Sequence, residues 1–186
     1  MVAQRSVPFF DYPAVFTSDE QQLTAIICDV ARRGAFIFQQ ELADFEKHLA
    51  EFVDAKYVLG MANATDALHL AVRAAGIGLG DEVIFCSHTM VATPAAVHFA
   101  GATPVPVECG TDHLIDPQCI SAAITPRTKA IMPTQLNGRT ADMDAVLAIA
   151  KEHDLLVIED AAQALGSRFK SGRASCRERV YSPGVG

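Results

Sequence analysis

The spacing of hydrophobic residues changes along the chain, and each spacing predicts a different element. From Gln40 to Val53 they recur at every third or fourth position, which is the period of an amphipathic helix. From Leu155 onward they run without interruption into the carboxylates Glu159 and Asp160, as in a strand buried on both faces of a parallel sheet. The same criteria predict strands at Tyr57–Met61, Glu82–Cys86, Thr103–Val107, Lys129–Pro133 and Leu155–Asp160.

The predicted helices alternate with these strands. Ser18 and Gln21 have the spacing of a capping box, so the first helix is expected to run from Ser18 to Arg33, where Gly34 stops it. Other helices are predicted at Gln40–Val53, Thr65–Ala75, Val91–Ala100, Asp116–Ala123 and Asp142–His153. Alternation of strand and helix is typical of βαβ units, so the sequence predicts an α/β fold with a mainly parallel sheet.

Composition narrows the class of protein. The chain has 186 residues, of which 50% are hydrophobic and 20% charged, and this suits about one globular domain. It has no apolar run of about 18 residues and no signal-peptide core, so we expect no membrane span. Its net charge of −7 argues against nucleic-acid binding. The five cysteines lack metal-ligand spacing, which predicts a reduced, cytoplasmic protein without a metal site.

The last residues break the pattern. From Arg173 to Gly186 the chain has three arginines, no hydrophobic period and a Pro-Gly pair near its end. We therefore expect residues 173–186 to form an atypical, irregular tail outside the fold. Residues 35–172 are then the α/β domain, and residues 1–34 are an N-terminal segment with one helix.

Two predicted junctions between a strand and a helix carry candidate chemistry. Gly60–Leu68 consists of small residues, so its backbone amides and the positive end of the following helix suit a phosphate. The alternative is an ordinary helix N-cap at Asn63 or Thr65. At the second junction His88 either stacks on a flat ring and carries protons, or is simply a half-exposed histidine at a helix start.

The strand from Leu155 ends in two carboxylates, and alternation along a strand sends Glu159 and Asp160 to opposite faces. A buried carboxylate needs a cationic partner, because an unpaired buried charge is costly. A pyridinium nitrogen would serve, through a bond worth about 1.5–3 kcal/mol, and a protonated pyridine is the electron sink of pyridoxal chemistry. The alternative is a helix-capping aspartate. Gln135 and Asn137, after another strand, either bind a ligand or form a plain turn.

These stretches resemble a single protein family. The matching segments are Pro8–Tyr12, Gln40–Glu46, Asn63–Leu68, Gly80–Ile84, Gly101–Val105, Ile124–Ile131, Gly138–Asp144 and Ile158–Ala164. On these segments the chain resembles the N-terminal portion of the DegT/DnrJ/EryC1/StrS family of pyridoxal-phosphate-dependent sugar aminotransferases, from about residue 8 to residue 172. The resemblance implies the large domain of the aspartate-aminotransferase type of fold (fold type I), with three α-β-α layers, in truncated form.

The resemblance also implies which residues bind pyridoxal 5′-phosphate. The first turn of the helix that starts near Asn63 would hold the phosphate, Asp160 would pair with the pyridine nitrogen, and Gln163 would lie beside the ring and its 3-hydroxyl. The segment from His88 to Met90 would pack on the ring face. The implied cofactor-binding residues are Asn63, Ala64, Thr65, His88, Met90, Asp160 and Gln163.

The implied reaction transfers an amino group from glutamate to a nucleotide-linked keto-sugar, for amino-sugar or polysaccharide biosynthesis, in enzymes that act as homodimers. Its nucleophile is a Schiff-base lysine. The last lysine here, Lys170, lies only ten positions after Asp160, too early for that role, so no catalytic residue is assigned and the chain is expected to be inactive as given. The alternatives are a non-catalytic relative that acts as a sensor or scaffold and at most binds the cofactor, and a plain nucleotide binder, which the missing dinucleotide fingerprint disfavours.

Overall fold

The computed structural model describes residues 8, 10–170, 172–173 and 177–181. The chain divides into two compact units, Met1–Asp44 and Phe45–Gly186. Helix α1 (Tyr12–Arg33) lies in the first unit, and helix α2 (Gln40–Val53) crosses the boundary. The division therefore falls ten residues later than the sequence predicted, inside an amphipathic helix rather than at the turn before it.

Helix α1 starts earlier than its predicted capping box. The side chain of Asp11 accepts a backbone N–H three residues on, at 3.1 Å, and Pro13 occupies the first turn, where its missing N–H costs nothing. Ser18 instead lies inside the helix and donates its hydroxyl to a carbonyl of the preceding turn at 2.8 Å. The predicted start at Ser18 is wrong, because Asp11 and Pro13 form the cap. The predicted end is correct: Gly34 adopts φ 64° and terminates the helix.

The second unit is built on a five-stranded sheet with the order β2-β1-β3-β4-β7. Its strands are β1 (Glu82–Cys86), β2 (Thr103–Val107), β3 (Thr128–Met132), β4 (Leu156–Ala161) and β7 (Arg177–Tyr181). The first four are parallel, and β7 runs antiparallel to β4. A separate hairpin pairs β5 (Arg168–Phe169) with β6 (Gly172–Arg173). Strand order reverses between β1 and β3, and in open parallel sheets ligands bind at such a reversal.

Helices cover both faces of this sheet. They are α3 (Ala64–Ala74), α4 (Ala92–Phe99), α5 (Pro117–Ala123) and α6 (Met143–Glu152). Alternation along the strands divides the core between the faces: Ile158 of β4 packs with Leu68 of α3, whereas its neighbour Val157 packs with Val146 of α6. The predicted three-layer α-β-α architecture is confirmed. None of the helices in the described part of the chain is long and apolar enough to cross a membrane.

One predicted strand does not form. Residues 57–61 are irregular, and the side chains of Tyr57 and Leu59 are 77% and 74% exposed. The Gly60 N–H donates to the Glu46 carboxylate at 2.8 Å, so it bonds to a side chain rather than to a neighbouring strand. The segment is apolar, as the prediction required, but strand formation depends on a pairing partner more than on intrinsic propensity.

Residues 177–181 differ from the irregular tail that the sequence predicted. They form β7, which pairs with β4 in a continuous register from Val157–Tyr181 to Ala161–Arg177. This pairing covers the edge of β4, whose backbone N–H and C=O groups would otherwise have no partner strand on that side. Residues 174–176 and 182–186 of the predicted tail lie outside the described residues.

Candidate functional site

The Asp160 carboxylate lies at the carboxyl end of β4 and is only 4% exposed. Thr93 of α4 donates its hydroxyl to Oδ2 at 2.6 Å, and the Ala162 N–H reaches Oδ1 at 3.3 Å. Within the described residues no lysine, arginine or histidine forms an ion pair with this carboxylate. A nearly buried carboxylate held by neutral donors fits a ligand that brings a cationic group.

Threonine hydroxyls extend from Asp160 across the reversal of strand order. Thr93 Oγ1 lies 2.7 Å from Thr89 Oγ1, and Thr89 Oγ1 lies 2.9 Å from Thr134 Oγ1. Thr89 follows β1, and Thr134 follows β3. The hydroxyl network therefore joins the ends of three strands around one carboxylate. The sequence did not predict the hydrogen bond from Thr93 to Asp160 or the link from Thr89 to Thr134.

Glu159 points to the opposite face of the sheet, as alternation predicted. It is 1% exposed, and its Oε2 accepts a hydrogen bond from Gln135 Nε2 at 3.2 Å. Gln135 Oε1 in turn accepts the Ala141 N–H at 2.7 Å. The hypothesis that Gln135 binds a ligand is therefore wrong, because its amide is fully buried and bonded within the layer that faces α6.

The turn after β3 is tied to the segment after β4. The Asn137 N–H donates to Gln163 Oε1 at 3.3 Å, and the Gly138 N–H donates to the Gln163 carbonyl at 2.9 Å. Asn137 adopts φ 53°, a left-handed conformation that asparagine tolerates. The plain-turn alternative describes these residues, and the turn brings the exposed Gln163 side chain against the loop that follows Thr134.

Asn63 is the N-cap of α3. Its Oδ1 accepts the Asp66 N–H at 2.9 Å, and its Nδ2 donates to the Asp66 carboxylate at 2.8 Å. Ala64 and Thr65 are half-buried in the first helical turn, where backbone N–H groups have no partner within the helix. The capping alternative holds for Asn63 and not for Thr65. Capping by Asn63 leaves the amides of Ala64 and Thr65 available to an anion.

His88 and Met90 differ in their surroundings. His88 Nδ1 lies 3.1 Å from the His113 carbonyl, and the two imidazole rings meet edge to face with 5.5 Å between centroids. His88 therefore contacts the loop after β2, whereas its neighbour Thr89 belongs to the hydroxyl network. Met90 is 63% exposed. Which of the two packs on a cofactor ring stays a prediction.

Comparison with known proteins decides the family. Residues 17–180 match the DegT/DnrJ/EryC1/StrS aminotransferase family. The chain belongs to this family. The match confirms the resemblance inferred from the sequence and extends eight residues past its expected end, into β7.

Several proteins that are similar to this chain are aminotransferases with a known reaction or a bound ligand. The chain is 44% identical over 175 residues to the dTDP-3-amino-3,4,6-trideoxy-alpha-D-glucose transaminase of Streptomyces venezuelae, over 94% of this chain and 46% of that protein. The structure of S. venezuelae DesV with a ketimine intermediate superimposes with a TM-score of 0.89 at 43% identity, over 91% of this chain and 46% of that chain. The structure of NtdA from Bacillus subtilis, solved with bound cofactor PMP, superimposes with a TM-score of 0.83 at 35% identity, over 89% of this chain and 39% of that chain.

The chain spans about half the length of the curated relatives it matches. The part that matches contains the candidate site described above: the buried Asp160 carboxylate, its threonine network and the first turn of α3. These groups suit the two ends of pyridoxal phosphate, since one is an acceptor for a protonated nitrogen and the other offers amides to a phosphate.

Proposed function

We propose that this chain supplies the cofactor-binding part of a pyridoxal-phosphate-dependent nucleotide-sugar aminotransferase. The proposed reaction moves an amino group from glutamate to a nucleotide-linked keto-sugar, and the proposed assembly is a homodimer in the cytoplasm. The observation that carries the proposal is the buried Asp160 carboxylate held by Thr93, in a chain of the aminotransferase family. The free thiols of Cys28, Cys86, Cys109 and Cys119 support a reducing compartment.

Asp160 would hold the proton on the pyridine nitrogen. A carboxylate has about four acceptor positions, and the two hydrogen bonds from Thr93 and Ala162 leave others for a charged donor. A hydrogen bond between ions contributes about 1.5–3 kcal/mol, more where solvent is excluded. With its ring nitrogen protonated, the bound cofactor acts as an electron sink for amino transfer.

The first turn of α3 would hold the phosphate. Asn63 already satisfies the N–H of Asp66, so the Ala64 and Thr65 amides and the Thr65 hydroxyl are the groups that face an anion. The helix dipole adds about 0.3–1 kcal/mol for a negative group at this position. Asp66 lies in the same helical turn, and its carboxylate accepts a hydrogen bond from the side-chain amide of Asn63.

The test is a titration of the purified chain with pyridoxal phosphate, followed by the absorbance and induced circular dichroism of the ring. We expect saturable binding that Asp160→Asn weakens about tenfold or more, since a charge-assisted bond is lost. Asp154→Asn is the matched control, because Asp154 is exposed and lies just before the opposite end of β4. Absence of saturable binding, or equal affinity in both variants, would contradict the proposed site.

Turnover is tested separately by adding glutamate to the cofactor-loaded chain. We expect no conversion to the amino form of the cofactor above the rate in buffer, because Lys170 is exposed and pairs with Asp144 of α6 rather than with any group of the site. Conversion that persists in Lys170→Met would reveal another nucleophile within the chain. Cofactor binding without conversion is also what a sensor or scaffold would give, so a nucleotide-linked keto-sugar is added in a second assay to detect substrate binding.

A further inference from the structure

Two histidines and a cysteine meet beside the threonine network. His88 follows β1, whereas Cys109 and His113 lie in the loop after β2, and one ligand atom of each lies within 4.8 Å of the others. Nothing in the aminotransferase reaction uses Cys109 or His113. We propose that these three side chains form a zinc site that joins the two loops.

The His88 ring has the hydrogen bond that a metal-bound histidine makes. A carbonyl oxygen only accepts, so the bond of 3.1 Å to the His113 carbonyl requires a hydrogen on His88 Nδ1. A neutral ring with its hydrogen on Nδ1 carries its lone pair on Nε2. Zinc-bound histidines almost always donate their second ring N–H to a carbonyl or carboxylate in this way, which fixes the tautomer and the ring plane.

The loop that carries the other two ligands is held in shape by its own backbone. Cys109 pairs with Ile115 in an antiparallel bridge, and the Gly110 N–H donates to the Leu114 carbonyl at 2.9 Å. The His113 N–H donates to the Gly110 carbonyl at 2.9 Å, so a second hydrogen bond closes the turn. His113 adopts φ 67°, which few non-glycine residues do. The closed turn holds Cys109 and His113 together before any metal binds.

The donor set selects the metal. One thiolate and two imidazoles are ligands that zinc prefers, and calcium or magnesium would require oxygen ligands. Tetrahedral zinc places nitrogen and sulfur ligands about 3.3–3.6 Å apart, so ligand atoms separated by up to 4.8 Å need to approach one another by about 1.2–1.5 Å at most. Both histidine side chains are exposed, so no packed core stands in the way of this movement. The fourth position is left to water, and thiolate binding releases one proton.

The test titrates the full chain with zinc, and with cobalt as a spectroscopic substitute, after reduction by a phosphine that does not bind metal. We expect one zinc per chain and, with cobalt, a thiolate-to-cobalt charge-transfer band together with tetrahedral d–d bands. Cys109→Ser should remove the charge-transfer band, and His113→Ala should weaken zinc binding at least about tenfold, the effect that loss of even an outer-sphere partner produces. The matched controls Cys28→Ser and His98→Ala should leave both readouts unchanged, since Cys28 is comparably half-buried and His98 comparably exposed.

A cobalt spectrum of the unsubstituted chain without the thiolate band overturns the proposal, whether or not the variants fold. So does a thiolate band that persists in Cys109→Ser, because the metal would then be held by another cysteine. A third readout is thermal unfolding. Zinc should raise the midpoint of the unsubstituted chain in proportion to the logarithm of its concentration, and at the same zinc concentration it should raise the midpoint of His113→Ala by less. An equal rise in both would show that the metal binds elsewhere.

Discussion

Thr93 donates its hydroxyl hydrogen to Asp160 across 2.6 Å, although the two residues are 67 positions apart. Thr93 is fully buried, and Asp160 is 4% exposed. The bond connects α4 to the end of β4, at the place where strand order reverses and a ligand would enter. Thr93, which belongs to a helix, therefore orients the Asp160 carboxylate, and this carboxylate is the group that a cationic ring nitrogen would contact.

The first prediction removes this hydroxyl. Thr93→Val keeps the shape of the side chain but deletes the donor to Asp160 and the link to Thr89. We expect the free energy of unfolding to fall by about 1.5–3 kcal/mol, the worth of a hydrogen bond to a charged group, as measured by urea denaturation. Thr103→Val, at an exposed position of β2, should change it by less than about 0.5 kcal/mol. Equal effects would show that the hydroxyl does not stabilise the carboxylate.

The second prediction concerns the buried amide on the other face. Gln135→Leu retains much of the side-chain volume but leaves the Ala141 N–H and the Glu159 carboxylate without this partner. Because burying an unsatisfied polar group costs about 1–3 kcal/mol, and more for a charge, we expect a loss of at least about 2 kcal/mol. The measurement is the urea midpoint at unchanged m-value. Gln118→Leu, at an exposed position of α5, is the control. An unchanged free energy of unfolding in Gln135→Leu would contradict the role of Gln135 as a buried hydrogen-bonding partner.

The sequence predicted most of the strands and helices because each of them depends on local order. The apolar run before Glu159 identifies a doubly buried strand, and the period of α3 identifies its buried stripe. Asp160 was found for the same reason, since it follows that run directly. The resemblance to the family then placed Asn63 at the start of α3, where the structure shows it capping the helix.

What the sequence did not predict depends on which strands are neighbours. The bond between Thr89 and Thr134 exists because β1 lies beside β3, and the meeting of His88 with Cys109 exists because β1 lies beside β2. No spacing along the chain carries that information. The same limit explains why residues 57–61 were predicted as a strand: an apolar run reports a pattern of side chains and not the presence of a pairing partner.

The third prediction compares two leucines of α3. Leu68 is 1% exposed and packs with Ile158 of β4, whereas Leu70, two positions on, is 48% exposed. Leu68→Ala should lower the free energy of unfolding by about 2–5 kcal/mol, because it removes buried methyl groups and leaves a cavity. Leu70→Ala should cost less than about 1 kcal/mol. A comparable loss in both, measured by urea denaturation, would contradict the orientation of α3 on the sheet.

The fourth prediction concerns acid stability at the amino end of the sheet. Glu82 begins β1 and is 5% exposed, and its carboxylate accepts the Thr125 hydroxyl at 2.5 Å and pairs with the Arg127 guanidinium. The Thr125 hydrogen bond, and then the Arg127 hydrogen bond, hold the pKa of Glu82 below its ordinary value despite its burial. The folded state therefore binds this proton less readily than the unfolded state does.

It follows that the stabilisation from Glu82 is present in full above the ordinary pKa of glutamate and is lost as the pH falls through the lowered pKa of the folded state. Glu82→Gln should be less stable than the unsubstituted chain at neutral pH, and this difference should shrink on acidification, as followed by urea midpoints across the acidic range. Thr125→Val, which removes the largest cause of the shift, should reduce the dependence on pH while keeping the ion pair with Arg127. A difference between Glu82→Gln and the unsubstituted chain that stays constant with pH would contradict the lowered pKa.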